Sequence, residues 1–478
     1  MIELNGKHTQ AKIMVDVVEQ ECLNQLANMI SHPAFTQPVR IMPDTHAGKG
    51  SVVGFTMLLT DKTIPQTVGV DIGCGVLAVR FEKLEDTLKN IDHEIKRSIP
   101  MGTNIHKECQ LSPTEWNDLF NGTSLAAEQF VLKYNQKFKT NYSAPVYNMD
   151  WFMGKVKQIG LDMERARNSL MSLGGGNHFV SIEKSERYEH YWLLIHSGSR
   201  KLGESICRYH QNIAKKNLDS KRAMELQIGI NRIMSEHRYD QTLIQPAIDK
   251  LKKDLGLDFD IDIKGVEFLE GQLAMDYFYD MIFAQQYAKL NRKKMADIIF
   301  KNALKGQKMT DIIDSVHNYI DFNDLIIRKG AIPSYTGVRS IIPLNMEDGS
   351  LIVEGKSNPD WNFSAPHGAG RLMSRTKAKE VLSLDDMKKG MEEAGVFSTS
   401  LNKHTIDEAK GAYKSSEMIE AAIEPTAKII ERVKPILNIK DASNDMSWKE
   451  KRKEKKAREE RKNKEVDDLA FKKMKKIK

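Results

Sequence analysis

A carboxylate and a thiol stand three residues apart in Asp71-Ile72-Gly73-Cys74-Gly75, with glycine on both sides of the sulfur. A thiolate beside a carboxylate suits a divalent transition metal better than redox exchange or a structural crosslink, and imidazoles from elsewhere in the chain would complete such a site. Five of the 13 histidines lie in clusters with Gly, Ser or Asn as neighbours. The clusters are Asp44-Thr45-His46-Ala47-Gly48-Lys49-Gly50, Gly174-Gly175-Gly176-Asn177-His178-Phe179, His196-Ser197-Gly198-Ser199-Arg200, His317-Asn318-Tyr319 and Ser364-Ala365-Pro366-His367-Gly368-Ala369-Gly370-Arg371. Small neighbours let backbone, ion and ligand approach one another, so these clusters can converge on one centre. Singly, each has a plainer reading as a hydrogen-bonded histidine, a glycine turn or an aspartate cap. Gly48-Lys49-Gly50 also lacks the spacing of a Walker phosphate loop. The inference rests on the set.

Secondary elements must deliver these clusters to one place. Apolar residues recur at helical spacing over 11–30, while 51–59 and 76–81 are short β-rich runs bounded by glycine or charge. Residues 191–195 form a compact apolar strand that ends at His196. A long helical pattern covers 269–304 with no proline and one glycine, and 376–394 and 415–433 also read as helices. Strands early in the chain and between helices, without regular alternation, point to an α+β fold. No internal repeat and no Pro- or Ser-rich linker precedes Asp441.

The four cysteines, Cys22, Cys74, Cys109 and Cys207, include no CxxC pair and are too few for a disulfide framework in 478 residues. The amino terminus carries Glu3 and Lys7 without the apolar core of a signal peptide. No stretch reaches the roughly 18 uninterrupted apolar residues of a membrane span. A cytoplasmic protein with no membrane partner is expected. The net charge of +7 is unevenly placed: residues 441–478 hold 15 Lys or Arg against 9 Asp or Glu, and residues 1–440 hold 57 against 56. The near-neutral body, 1–440, is expected to be the catalytic domain. The extension, 441–478, lacks an apolar stripe and is expected to be a solvated helix or a disordered arm. Clustered Lys and Arg gain affinity for polyanions through counterion release, which favours an RNA-following arm over a solubilising appendage.

Together and in this order, the clusters resemble the RtcB family of RNA ligases, which join RNA 3′-phosphate or 2′,3′-cyclic phosphate ends to 5′-hydroxyl ends with GTP and manganese. The resemblance runs from about residue 42 to residue 440. It rests on 42–50 (MPDTHAGKG), 68–75 (VGVDIGCG), 174–179, 196–200, 328–331 (RKGA) and 367–375 (HGAGRLMSR). It implies one large α+β domain of mixed sheets surrounded by helices. It implies two Mn2+ ions bridged by Cys74, with Asp71 and His178 completing one site and His196 and His317 the other. His367 falls on the family's nucleophile, which takes GMP from GTP as a phosphoramidate and passes it to the RNA 3′-phosphate before the 5′-hydroxyl displaces it. Asp44 falls on a motif aspartate expected to organise or open the RNA end. The match places Asn177 near the phosphates, and Ser350, Tyr413 and Lys440 around the ribose and guanine. The implied partners are RNA fragments with such ends, from tRNA or rRNA, and an activating protein such as archease is left open.

Three departures bear on nucleotide choice and leave the metal ligands and nucleophile intact. Where the family carries Glu two residues after the Phe of Asn-His-Phe, this chain has Ser181, and Glu183 on the same strand face is the candidate substitute. A PGSMG-like turn is replaced by residues 343–348 (PLNMED), and Ser364-Ala365-Pro366 precedes His367 where the family commonly has small residues and Cys. Two other functions are weighed. One is capping of 3′-phosphate ends, on RNA or DNA, without efficient sealing. The other is RNA binding without catalysis, against which the retained thiolate and imidazoles count, because burying them without a metal is costly.

Overall fold

The two short β-rich runs become strands of different sheets, Val53–Leu58 and Gly75–Phe81. The computed structural model describes residues 1–238, 240–254 and 267–443. Beyond its first three residues, the basic extension expected to be a helix or a disordered arm therefore lies outside the described residues. Gly75–Phe81 belongs to a seven-stranded antiparallel sheet in the order Asp311–Val316, Gly75–Phe81, Tyr191–Ser197, Phe179–Ser185, Ala427–Ile439, Gly349–Gly355, Arg339–Asn345. Successive side chains alternate between two covered faces. Leu77, Val79, Leu193 and Ile195 join the large core. Val76, Ala78, Trp192 and Leu194 point the other way and meet Ile313, Ile341, Ile352 and Val433. Six strands contribute to this smaller core because the sheet curls until its edge strands meet. Ile341 N donates to Ser315 Oγ at 2.8 Å, and Arg339 pairs with Asp311 at 2.6 and 2.7 Å.

A second, six-stranded sheet runs Ile2–Asn5, Gln10–Ile13, Val39–His46, Val53–Leu58, Ile326–Lys329, Asn318–Ile320. Its one parallel pair is Gln10–Ile13 with Val39–His46. Residues Met1–Asp441 form one compact unit, with mixed sheets and surrounding helices. The α+β class expected from the sequence is the class observed.

Three helical expectations are corrected. In 11–30, Gln10–Ile13 is a strand and the helix is Gln20–Ile30; Ala11 and Ile13 are buried at a period of two that sheet pairing exploits. In 376–394 there are two helices, Arg375–Val381 and Leu384–Glu393, and the Ser383 hydroxyl caps the second by accepting from Asp386 N at 3.2 Å. In 415–433 the helix is Ser416–Ile423, and Pro425 precedes the strand Ala427–Ile439, whose β-branched residues pair on both sides.

The pattern at 269–304 becomes the helix Gly271–Asn302, buried on nearly every side between the seven-stranded sheet and the helices Pro113–Phe138 and Arg200–Glu236. Three polar residues are buried in it, Asp280, Asn291 and Arg292, and the last two face the site. Asn291 Nδ2 donates to Ser172 O, Ser197 Oγ and Gly198 O at 3.2, 3.1 and 3.2 Å. Arg292 pairs with Asp314 at 2.8 and 3.0 Å and donates through Nη1 to Gly73 O and Ser197 O at 2.7 and 3.0 Å. A buried guanidinium is stable only when acceptors surround it, so this one ties the Asp71–Cys74 loop and the end of the His196 strand to a rigid helix. Arg292→Met leaves the Asp314 carboxylate and two carbonyls without their donor and is expected to lose about 3–5 kcal/mol of stability. Urea denaturation checks this, and adding Asp314→Asn is expected to recover part of the loss.

Candidate metal and nucleotide site

Sheet register gathers the predicted ligands. Val316 pairs with Gly75, Gly75 with Ser197, and His196 with Phe179. Cys74, His196, His178 and His317 therefore sit at one end of four adjacent strands. Asp71 reaches them from the preceding loop, and its carboxylate accepts from Ser199 N at 3.1 Å. A Cβ on Gly198 would fall 2.3–2.5 Å from that carboxyl group, so only glycine lets it approach.

The donor atoms form two sets, Asp71, Cys74 and His178, and Cys74, His196 and His317; within each set the ligand atoms lie within 4.8 Å of one another. Cys74 belongs to both. His178 Nδ1 donates to Leu173 O at 2.9 Å and His196 Nδ1 to Asn177 O at 3.0 Å, which leaves Nε2 of both rings as a bare acceptor. His178 Nε2 nevertheless lies 2.9 Å from Asp71 Oδ2, and His196 Nε2 lies 3.3 Å from both Cys74 Sγ and His317 Nε2. Acceptors this close need a proton or a cation between them. Spacings of 2.9–3.5 Å are edges of a coordination shell with bonds of about 2.0–2.3 Å, so the residues fit a metal pair. Without one, burial and the Asp71 charge push the Cys74 thiol well up. Burial likewise pushes the His196 and His317 imidazoles well down, keeping them neutral.

His367 hangs from a separate, two-stranded sheet. It follows the strand Ser364–Pro366, which pairs with Ala331–Pro333. The Asp44 carboxylate accepts from His367 Nδ1 at 2.6 Å and from its backbone N–H at 3.2 Å. Nε2 is then the ring's free lone pair, and the ring centroid lies 4.7 Å from that of His317. Asp44 sits in an irregular stretch of Val39–His46. Lys414 Nζ clamps that stretch by donating to Pro43 O and Thr45 O at 2.8 and 3.0 Å. Asp44, expected at the RNA end, is thus placed against the ring of His367.

Asn177, Ser350, Tyr413 and Lys440 all line one cavity of about 420 Å³, together with His367, Asp71, Cys74, His196 and His317. Sequence reasoning missed its anion, Glu408, which no motif announces. Burial alone would raise this carboxyl, but Lys440, Arg375, the Tyr413 hydroxyl and Arg371 hold it down to about 2. Lys440 Nζ lies 3.4 Å from Glu408 and 3.3 Å from His178 O, and the Arg371 guanidinium lies over the Tyr413 ring at 5.1 Å. Lys440, Arg371 and Arg375 face two carboxylates, Glu408 and the Asp407 that pairs with Arg375 at 2.6 Å, and the balance is still positive.

Ser181 and Glu183 both face the inside of the curled sheet, opposite Leu194 and Trp192. The Ser181 hydroxyl donates to Leu437 O at 3.1 Å, whereas Glu183 lines the cavity. Burial pushes the Glu183 carboxyl up to about 8 against a usual 4.5. The folded protein holds this proton where the unfolded chain releases it, so its contribution to stability falls as pH rises from about 4.5 to about 8. Glu183→Gln has no such proton. Its stability relative to wild type is expected to grow with pH across that interval, by up to about tenfold in the unfolding constant per pH unit, as read by urea denaturation near pH 5 and near pH 8.

The family model described as tRNA-splicing ligase RtcB matches residues 25–441. The chain is 28% identical over 442 residues to the RNA-splicing ligase RtcB of Escherichia coli strain K12, covering 88% of this chain and 95% of that protein. It is 25% identical to RNA-splicing ligase RtcB2 of Escherichia coli strain ATCC 25922, covering 89% and 93%. It is 24% identical to the tRNA-splicing ligase RtcB of Nanoarchaeum equitans, covering 90% and 93%.

Proposed function

The chain belongs to the RtcB family, and from that premise we propose that it is a GTP- and manganese-dependent ligase joining RNA 3′-phosphate or 2′,3′-cyclic phosphate ends to 5′-hydroxyl ends. One juxtaposition carries the reading: a histidine whose Nδ1 is held by Asp44 at 2.6 Å shares a cavity with two donor sets that meet at Cys74. His367 Nε2 attacks the α-phosphorus of GTP, the N–P bond forms, and pyrophosphate leaves with the electrons of the broken P–O bond. Asp44 fixes the tautomer and stabilises the charge that develops on the ring. Arg371 and Arg375 orient the phosphates with Asn177 beside them, and Ser350, Tyr413 and Lys440 stand around the ribose and guanine. The GMP then passes to the RNA 3′-phosphate, and the 5′-hydroxyl displaces it. Bound Mn2+ would be held by Asp71, Cys74, His178, His196 and His317 and would supply Lewis-acid stabilisation of phosphoryl oxygens. The names of the relatives, RNA-splicing and tRNA-splicing ligases, support an RNA substrate. Among the described residues no helix is long and apolar enough to cross a membrane.

Incubation with Mn2+ and α-labelled GTP is expected to label the protein covalently, and His367→Ala to abolish the label while leaving the fold intact. Asp44→Asn presents an N–H to Nδ1 and forces the wrong tautomer. It is expected to slow labelling by about 10²- to 10⁴-fold. An unlabelled, metal-loaded wild type overturns the proposal.

The basic segment 441–478 is proposed to follow the RNA backbone. Ending the chain at Lys440 is expected to weaken RNA binding and flatten its salt dependence while guanylylation persists. Filter binding at two salt concentrations checks this.

A further inference from the structure

Asp44 is fully buried and does not line the cavity, so it reaches the chemistry only through His367. Its place is set by its backbone, and that backbone lies in a gap. The pairing of Val39–His46 with Val53–Leu58 loses register between Ile41 and His46, so the strand ladder does not aim the Asp44 side chain. Groups from outside the ladder take the carbonyls instead. Pro43 O and Thr45 O accept from the Lys414 ammonium at 2.8 and 3.0 Å, and Asp44 O, between them, accepts from His46 Nδ1 at 3.1 Å. Lys414 also holds the other partner. Its backbone N–H donates to Gly370 O at 3.0 Å, and a Cβ on Gly370 would fall 2.3–2.7 Å from the Asp44 backbone, so the loop after His367 lies directly on Asp44. Within the carboxylate, Oδ2 takes both bonds from His367 and Oδ1 takes none. Nothing beyond His367 fixes the side chain itself. An ammonium only 7% exposed is a costly means of satisfying two neutral carbonyls. Burial lowers its affinity for a proton, and the Asp44 charge works in the opposite direction.

We propose that Lys414 is the positioning residue of the nucleophile, holding the Asp44 carboxylate against His367 without touching nucleotide or RNA. The inference rests on the reading of His367 as the group that takes GMP. If the clamped stretch shifts, the bond from His367 Nδ1 to Asp44 lengthens and the ring turns, which carries Nε2 off the line of attack. Only steps that use Nε2 then suffer. In the first proposed step the N–P bond forms as pyrophosphate leaves, and in the second it breaks as an oxygen of the RNA 3′-phosphate attacks the same phosphorus. The third step is different. The 5′-hydroxyl attacks the phosphorus at the activated RNA end, its proton passes to water, and GMP leaves with the electrons of the broken P–O bond. His367 makes no bond there, so Lys414 serves the first two steps and not the third.

The test sets two assays side by side on the full chain with Mn2+: covalent labelling by α-labelled GTP, and sealing of a 5′-hydroxyl strand to RNA that already carries a 3′-pp-5′-G end. Lys414→Met keeps the length of the side chain and loses its donors. It is expected to slow labelling at saturating GTP by about 10- to 100-fold, with the half-saturating GTP concentration and the sealing of the preformed end both within about twofold of wild type. Lys414→Gln, with one amide donor on a shorter arm, is expected to fall between. Asp44→Asn slows labelling by itself, and adding Lys414→Met to it is expected to cost less than about threefold more, because both changes act on one bond. An effect of Lys414→Met that is as large in the Asp44→Asn background as alone overturns the inference. Proportional loss of labelling and sealing in both Lys414 variants, including through failure to fold, makes Lys414 a general support of the structure and overturns it too. Labelling of Lys414→Met at the wild-type rate defeats the inference and leaves the ligase reading standing. An unlabelled wild type defeats both.

Discussion

Everything in the site depends on a crowd of acceptors with too few donors among them. Asp71 Oδ2, Cys74 Sγ and the Nε2 atoms of His178, His196 and His317 meet at 2.9–3.5 Å. The Nδ1 protons that could have relieved the crowding at two of these rings are already donated to backbone carbonyls. Such an arrangement is stable only around positive charge. Cys74 belongs to both sets, so it would hold any two ions close together, and the chain could not relax one set without disturbing the other. The buried guanidinium of Arg292 serves the same constraint from behind, because it fixes the carbonyls of Gly73 and Ser197 on which the thiol and His196 are carried.

Two sheets face this centre, and His317 is the hinge between them. It follows Asp311–Val316, the edge of the curled sheet, and precedes Asn318–Ile320 of the other. Its backbone N–H donates to Cys74 O, and its carbonyl accepts from Gly330 N. The two donor sets belong mainly to the first sheet, while Asp44 lies on the second and His367 follows the two-stranded sheet of Ala331–Pro333 and Ser364–Pro366. One residue thus joins the two donor sets to the His367 side. Arg328 holds that side. It is fully buried, donates to Ser364 Oγ at 2.9 Å and Phe363 O at 3.2 Å, and is paired with Asp321 and Asp324. The departure at Ser364 therefore supplies the acceptor that anchors the strand leading into His367.

What the sequence made legible follows from where chemistry is local. Asp71, Cys74 and the histidines are recognisable because residue type and glycine neighbours carry their role, and register alone brought them together. Lys414 and Glu408 carry no such mark. The first acts by donating to two carbonyls some 370 residues earlier in the chain, the second through cations that only the fold assembles. The helical misreadings have a similar origin. Residues 427–439 carry apolar spacing compatible with either element, and the decision was made by partners on both sides, Gly349–Gly355 and Phe179–Ser185, which no local window contains.

The cavity is polarised, and its polarity would order the reactants of the proposed reaction. On one side stand acceptors that require cations. On another stand Lys440, Arg371 and Arg375, held around Glu408 and ready for anionic oxygen. His367 lies between a carboxylate that keeps its outer nitrogen free and a neutral His317. The polyphosphate of the proposed function, laid across this field, would be attracted from both directions. At the far end the apolar core inside the curled sheet raises the Glu183 carboxyl by burial. The same curl that closes the sheet edges thereby keeps this carboxyl protonated to higher pH. A carboxylate at position 181, two residues nearer His178, would stand in a different field, and for this reason the replacement by Ser181 moves more than the location of one group.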